Sequence, residues 1–178
     1  SFTFLLKGPS ARYFHISAPT YSTEKPEGPE GIDEDVKAVA ADGTVVQATA
    51  SNHFDGGLYY EIGNNGEQYW TITLGKLDYS SYETVTYEFQ GTGTWMKICL
   101  GSTGNGIRNQ NDSIRGTIVF TKQADGSFLV VVNEVTTGTS VSETLTDTDV
   151  ISGNVGYTFL VKTASSPRHI HISAPIME

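Results

Sequence analysis

Two histidines stand two residues apart in RHIHISAP, at 168–175. Residues i and i+2 of a strand project from one face, so His169 and His171 have the spacing of paired metal ligands. Zinc needs at least one further ligand from a neighbouring strand, and no spacing in the chain supplies it. The related run RYFHISAP at 12–19 has Tyr13 and His15 at the corresponding places, so the pair is not repeated. Both histidines are read as outward polar strand residues, and no metal site is assigned. No loop carries the dense Asp ladder of a calcium site; no cofactor is expected, and a structural calcium is left open with no ligand residues to name.

Catalysis by paired carboxylates requires two acids held rigidly across one bond. The dense cluster Glu30, Asp33, Glu34 and Asp35 lies in a proline-rich stretch, while Glu61 and Glu88 are isolated acids on separate strands. Nucleophilic catalysis has His15, His53, His169 and His171 to draw on but no strained G-x-S-x-G turn. Cys99 is the one cysteine, which excludes an intrachain disulfide; with no flanking motif to lower its pKa it reads as a small, partly buried residue. The expectation is a protein that is not an enzyme.

Aromatic residues point to binding. Nine Tyr, eight Phe and two Trp exceed what a minimal core requires. In TWMKICLG the apolar set Met96, Ile98 and Leu100 faces inward, which turns Trp95 outward with Lys97 and Cys99. Tyr59 alternates against Tyr60 and Tyr69 against Trp70, so one of each pair belongs to an outer face. Exposed rings stack on the apolar faces of sugars, and polar side chains beside them bind hydroxyls. The run STGNGIRNQNDSIRG at 102–116 reads as a long polar loop with Arg108, Asn109, Gln110, Asn111 and Asp112 at its tip. These five, with Trp95, Tyr59 and Tyr69, are the candidate ligand-binding residues.

Strands must position them. YWTITLG alternates Trp70, Ile72 and Leu74 against Tyr69, Thr71 and Thr73, and ETVTYEF alternates Val85, Tyr87 and Phe89 against Thr86 and Glu88. Further strands are expected at 44–50, 57–63, 95–101, 115–122, 127–135, 157–163 and 168–174. Turn signals separate them at Asp42-Gly43, Asn65-Gly66, Asn105-Gly106 and Asp125-Gly126, the last joining two apolar runs as a hairpin. DEDVKAVAA is given a turn or two of helix. Many short strands with Gly-rich turns predict an all-β fold, an antiparallel two-sheet β-sandwich of jelly-roll type. With 178 residues the chain has one globular core, and its net charge of −9 argues against nucleic acid and against anionic membrane surfaces. No apolar run reaches membrane-spanning length.

The two HISAP runs belong to a wider repeat, because FTFLLK at 2–7 matches YTFLVK at 157–162. Arg12 and Arg168 lie 156 positions apart (168 − 12). Residues 1–19 are therefore read as a terminal hairpin matching 157–175, from a preceding repeat; residues 20–36 as an acidic Pro/Gly linker or surface crossing; residues 37–178 as the β-sandwich domain. A rival reading places both copies within one domain.

The run YWTITLGKLDYSSYETVTYEFQGTGTWMKICLGST, with GTIVF, GSFLVVVNE and YTFLVKT after it, resembles the galactose-binding-like β-sandwiches of bacterial carbohydrate-binding modules and surface proteins. The similarity covers about 59–175 and lies in core and turn patterns, so it carries no binding residue across. It implies a non-catalytic, extracellular module of a bacterial surface or secreted repeat protein, whose partners are a glycan or host glycoprotein and neighbouring repeats of the same chain. An adhesin domain binding a host protein such as an immunoglobulin, and a structural spacer in a surface stalk, are the alternatives.

Overall fold

The computed structural model describes residues 36–63, 67–92, 96–99, 104–109, 113–146, 154–163 and 168–178, with backbone alone at 75–77, 109, 154–160 and 163. Strands dominate it, in chain order: β1 (Lys37–Ala40), β2 (Val45–Gln47), β3 (Thr49–Ala50), β4 (Leu58–Ile62), β5 (Gln68–Asp78), β6 (Thr84–Thr92), β7 (Met96–Cys99), β8 (Gly106–Asn109), β9 (Ser113–Lys122), β10 (Phe128–Glu134), β11 (Thr139–Leu145), β12 (Asn154–Thr163), β13 (Arg168–Ile172) and β14 (Ile176–Met177). Among the described residues one antiparallel sheet has the order β2-β1-β5-β12-β7-β8, and a second has β11-β10-β9-β6-β13-β4-β3 with β14 added to β6.

Period-two alternation closes the two sheets on one another. Trp70 and Ile72 from the smaller sheet meet Tyr60, Phe89 and Ile118 from the larger in one core, each no more than 2% exposed. The inward set Val85, Tyr87 and Phe89 alternates with Thr86 and Glu88 as the pattern requires. The Tyr60 hydroxyl crosses between sheets to donate to the Thr73 carbonyl at 2.8 Å. That carbonyl lies where the β5–β12 register shifts, so the phenol satisfies an acceptor beside an irregular rung.

The corner between β5 and β6 is a single 3₁₀ turn, Tyr79–Ser81. Asp78 caps it, accepting from the Ser80 N–H at 3.0 Å and the Ser81 hydroxyl at 3.1 Å. Asp125-Gly126 makes the expected β9–β10 hairpin: Gly126 takes φ +86°, and Asp125 accepts from the Ser127 N–H at 3.0 Å.

Four expectations need correction. Within the stretch given a helical turn, Lys37–Ala40 forms β1, because Ala38 and Ala40 alternate into the core while Lys37 and Val39 do not. Of the polar loop expected at 102–116, residues 106–109 and 113–116 are strand: Ile107, opposite Ile98 and 4% exposed, anchors β8, so Arg108 and Asn109 sit on an edge strand, while 102–103 and 110–112 lie outside the described residues. Cys99 is fully buried although Lys97 on its face is not, because glycine at 106 leaves room for its sulfur. Finally, 157–163 and 168–172 belong to β12 and β13, interior strands of different sheets, and do not pair as a hairpin. Residues 1–35, with the N-terminal copy and most of the acidic linker, lie outside the described residues.

Candidate functional site

The outer face of the larger sheet carries lateral rows of polar side chains, set by register. Tyr59 on β4 opposes His171 on β13, which opposes Gln90 on β6, which opposes Arg115 on β9. One rung along, Glu61, His169, Thr92 and Ser113 form a parallel row. Their neighbours along each strand, Tyr60, Ile62, Ile170, Ile172, Phe89 and Ile114, are buried, so burial of the other set fixes which side these residues face.

Hydrogen bonds tie the rows together. The Tyr59 hydroxyl lies 2.7 Å from His169 Nδ1 and 3.4 Å from Glu61 Oε2. A proton on His169 Nδ1 satisfies all three groups in a chain, imidazole N–H to phenol oxygen and phenol O–H to carboxylate. Burial, then the charge and hydrogen bond of Glu61, push the Tyr59 phenol above its ordinary pKa, so it stays a donor.

A loop between β3 and β4 leans over the same face. Ser51 Oγ accepts from the His53 and Phe54 N–H groups, each at 3.0 Å, and lies 2.9 Å from His171 Nδ1. Two amides already use the hydroxyl oxygen, so the serine proton goes to Nδ1 and His171 carries its own on Nε2. Ser51 is thus a staple for the loop rather than a nucleophile. Desolvation, followed by repulsion from His53 and His169, lowers the His171 pKa and keeps the ring neutral near pH 7.

The loop divides the face into two adjoining hollows. One, of about 420 Å³, is lined by Ala50, Asn52, Tyr59, Thr92, His169 and His171. The other, of about 400 Å³, lies among His53, Glu88, Gln90, Arg115, Gly116 and Val135. Together they form a groove with rings at one end and a guanidinium and carboxylate at the other. Among the described residues no group of three His, Cys, Asp or Glu side chains is disposed to hold a metal ion. Glu61 and Glu88 stand two strands apart and several rungs offset, ~16 Å by strand geometry, beyond the span of a glycosidase pair.

Of the sequence-derived candidates whose side chains are described, Tyr59 alone lines this groove. Tyr69 and Arg108 lie on the opposite outer face, in the row Tyr69, Lys162, Lys97, Arg108 across the smaller sheet. Lys162 Nζ is 5.8 Å from the Tyr69 ring centroid and pairs with Glu67, whose carboxyl that lysine holds below its usual range. Tyr59 is thus on one outer face and Tyr69 and Arg108 on the other, so these three do not share a site. Trp95, Gln110, Asn111, Asp112 and the Asn109 side chain lie outside the described residues. His171, Gln90 and Arg115 were missed as binding residues, although the outward phase of their strands was readable.

The fold defines the class: an antiparallel two-sheet β-sandwich. No protein-family model matches the sequence, and no curated protein does. Among solved structures it is similar to peanut lectin with a 9mer peptide (PVIWSSATG), at 7% identity and a TM-score of 0.34, over 79% of this chain and 92% of that one.

Proposed function

We propose that this chain is a non-catalytic, carbohydrate-binding module, and that its glycan lies along the groove on the larger sheet. The observation that carries the reading is the row Tyr59, His171, Gln90, Arg115, whose first two residues line one hollow and whose last two line the other. Rings at Tyr59, His169 and His171 offer stacking surfaces, while an amide, a guanidinium and hydroxyls supply the donors and acceptors that sugar hydroxyls need. A shallow polar groove suits a ligand that is itself hydrated. The repeated ends of the chain fit an extracellular bacterial repeat protein in which weak single contacts gain by avidity.

A host-protein adhesin would bind through a contiguous apolar patch. The exposed large apolar side chains among the described residues, Val45, Val135, Ile176 and Met177, are spread over separate elements apart from the last two. The glycan reading is tested on a glycan array, followed by calorimetry with Tyr59→Ala and Arg115→Ala. Saturable binding to a defined glycan, lost in both folded variants, supports it. Binding that survives both, or capture of a protein after enzymatic deglycosylation with silence on the array, overturns it.

A further inference from the structure

The outer face of the smaller sheet gathers cations that the net charge conceals. Lys162 on β12 opposes Lys97 on β7, and Lys97 opposes Arg108 on β8, while Tyr69 on β5 flanks Lys162 from the other side. Their chain neighbours Trp70, Val161, Met96, Ile98 and Ile107 are buried, so the four side chains share the outward phase. Three of the 11 Lys and Arg in a chain with 20 acids thus fall on one rung of three adjacent strands. Like charges directly opposed in a sheet destabilise it, and an outward strand position accepts any polar residue, so the fold alone does not call for this row. The row also holds a carboxylate. Glu67, with a side chain 63% exposed, pairs with Lys162, which is 27% exposed; the bond and charge of that lysine, with a smaller contribution from Arg108, keep the Glu67 carboxyl below its usual range.

We propose that this row is a second binding site, for a uronic acid chain: an oligosaccharide with a carboxylate on successive sugars, lying across the strands. Adjacent strands are ~4.8 Å apart, so the three cations span about 10 Å from end to end. A pyranose advances its chain by a length comparable with one strand spacing, which gives each sugar its own cation. An extended acidic peptide fits worse, because side chains on one of its faces recur about every 6.8 Å and fall out of step with the strands. A nucleic acid calls for a wider basic surface than three residues in a chain of charge −9. Glu67 marks the kind of anion the row takes, a carboxylate held by Lys162, and the ligand's carboxylates extend that arrangement along Lys97 and Arg108. The guanidinium at the outer end is suited to grip one of them with two parallel bonds. At the other end the Tyr69 ring, with Lys162 Nζ 5.8 Å from its centroid, offers a flat face to a sugar. The site lies across the sandwich from the groove on the larger sheet, and neither reading rests on the other.

The probe is an oligogalacturonate of defined length, titrated by calorimetry into the full chain, with its carboxyl-reduced form and an oligoglutamate of equal charge beside it. Saturable binding of the oligogalacturonate alone is expected, weakening as salt is raised. Lys97→Gln and Arg108→Gln are each expected to weaken it by about fivefold or more, and the pair together to abolish it. Arg108 is exposed, so its variant reads binding even where Lys97→Gln disturbs the buried Cys99 beside it. Lys122→Gln, on β9 of the larger sheet, removes the same charge away from the row and is expected to leave the affinity unchanged. Glu67→Gln removes the competing carboxylate and is expected to tighten binding. No binding, equal binding of the carboxyl-reduced sugar or of the oligoglutamate, weaker binding after Glu67→Gln, or a loss in Lys122→Gln as large as in Arg108→Gln overturns the proposal.

Discussion

Tyr59 and His169 are joined twice: the phenol oxygen lies 2.7 Å from Nδ1, and the two rings are within 8° of parallel at 6.0 Å. The tyrosine also lies 4.8 Å from the His171 ring, so one side chain orients both histidines of the groove. Truncation to Ala removes the stacking surface and frees both imidazoles. Tyr59→Ala is expected to weaken glycan binding by about tenfold or more, equivalent to ~1.4 kcal/mol, with a near-native melt because the ring is half-buried on an outer face. Tyr59→Phe keeps the ring and is expected to lose less. Calorimetry on the two variants checks the order; equal losses would place the contribution in the hydroxyl.

The link from Ser51 to His171 makes the β3–β4 loop sensitive to acid. Neutral His171 accepts the serine proton, whereas the imidazolium has no lone pair at Nδ1 to offer. Burial and the neighbouring His53 and His169 put the folded pKa of His171 below its ordinary 6.5, so folding favours the neutral ring. Its stabilising contribution is whole above pH 6.5 and declines as pH falls from there through the lowered folded value. Residues 51–57 are expected to gain hydrogen-exchange rate, beyond the intrinsic pH trend, over that window. The check is exchange mass spectrometry beside a His171→Gln control, in which the excess should vanish.

The period of two was enough to find the sandwich, because residues such as Val85, Tyr87 and Phe89 are buried by the alternation that sequence displays. Polar edge elements escaped it. TSVSETL of β11 pairs, among the described residues, with β10 alone; its inner positions are Val141, Glu143 and Leu145, and the acid between the two apolar residues breaks the apolar alternation that would have marked a strand. The groove was half legible: the outward phase of Tyr59, Gln90 and His171 follows from their buried neighbours, but their lateral order does not. That order comes from β13 entering between β4 and β6, a pairing made by residues about 80 to 110 positions apart. Tyr59 and Tyr69 looked equivalent for the same reason, since alternation tells inside from outside and not one sheet from the other.

Gly116 is held to its identity by the backbone of the next strand. A Cβ built there would lie 1.7 Å from the Asn133 carbonyl oxygen, a clash no rotamer relieves. Because Gly116 opposes Phe89 on one side and Glu134 on the other, β9 would have to move away from β10 or tilt in the larger sheet. Gly116→Ala is expected to destabilise by about 2–3 kcal/mol, at the upper end of overpacking costs. Since Gly116 also lines the second hollow, the same substitution should weaken ligand binding at a temperature where the variant is still folded. Thermal melts and calorimetry on one preparation test both effects, and an unchanged melt would rule out the close approach.

Glu134 closes the β10–β11 hairpin from within. It is 1% exposed, and its carboxylate accepts from the Thr136 N–H at 3.0 Å and the Thr137 N–H at 2.7 Å, with the Thr137 hydroxyl as a third donor. Burial pushes the carboxyl up, but the Thr137 and Thr136 bonds outweigh it and hold the pKa below the ordinary 4.5. The stabilisation it supplies is therefore full above pH 4.5 and is lost as pH falls through the lowered folded value, where the ionised acceptor disappears. Glu134→Gln keeps the shape and one acceptor oxygen but loses the charge, at a cost of about 1–3 kcal/mol near pH 7. The wild-type advantage over the variant, read from urea midpoints, should shrink as the buffer is taken from pH 5 towards pH 3. A difference that stayed constant across that range would mean the carboxylate charge takes no part in holding the turn.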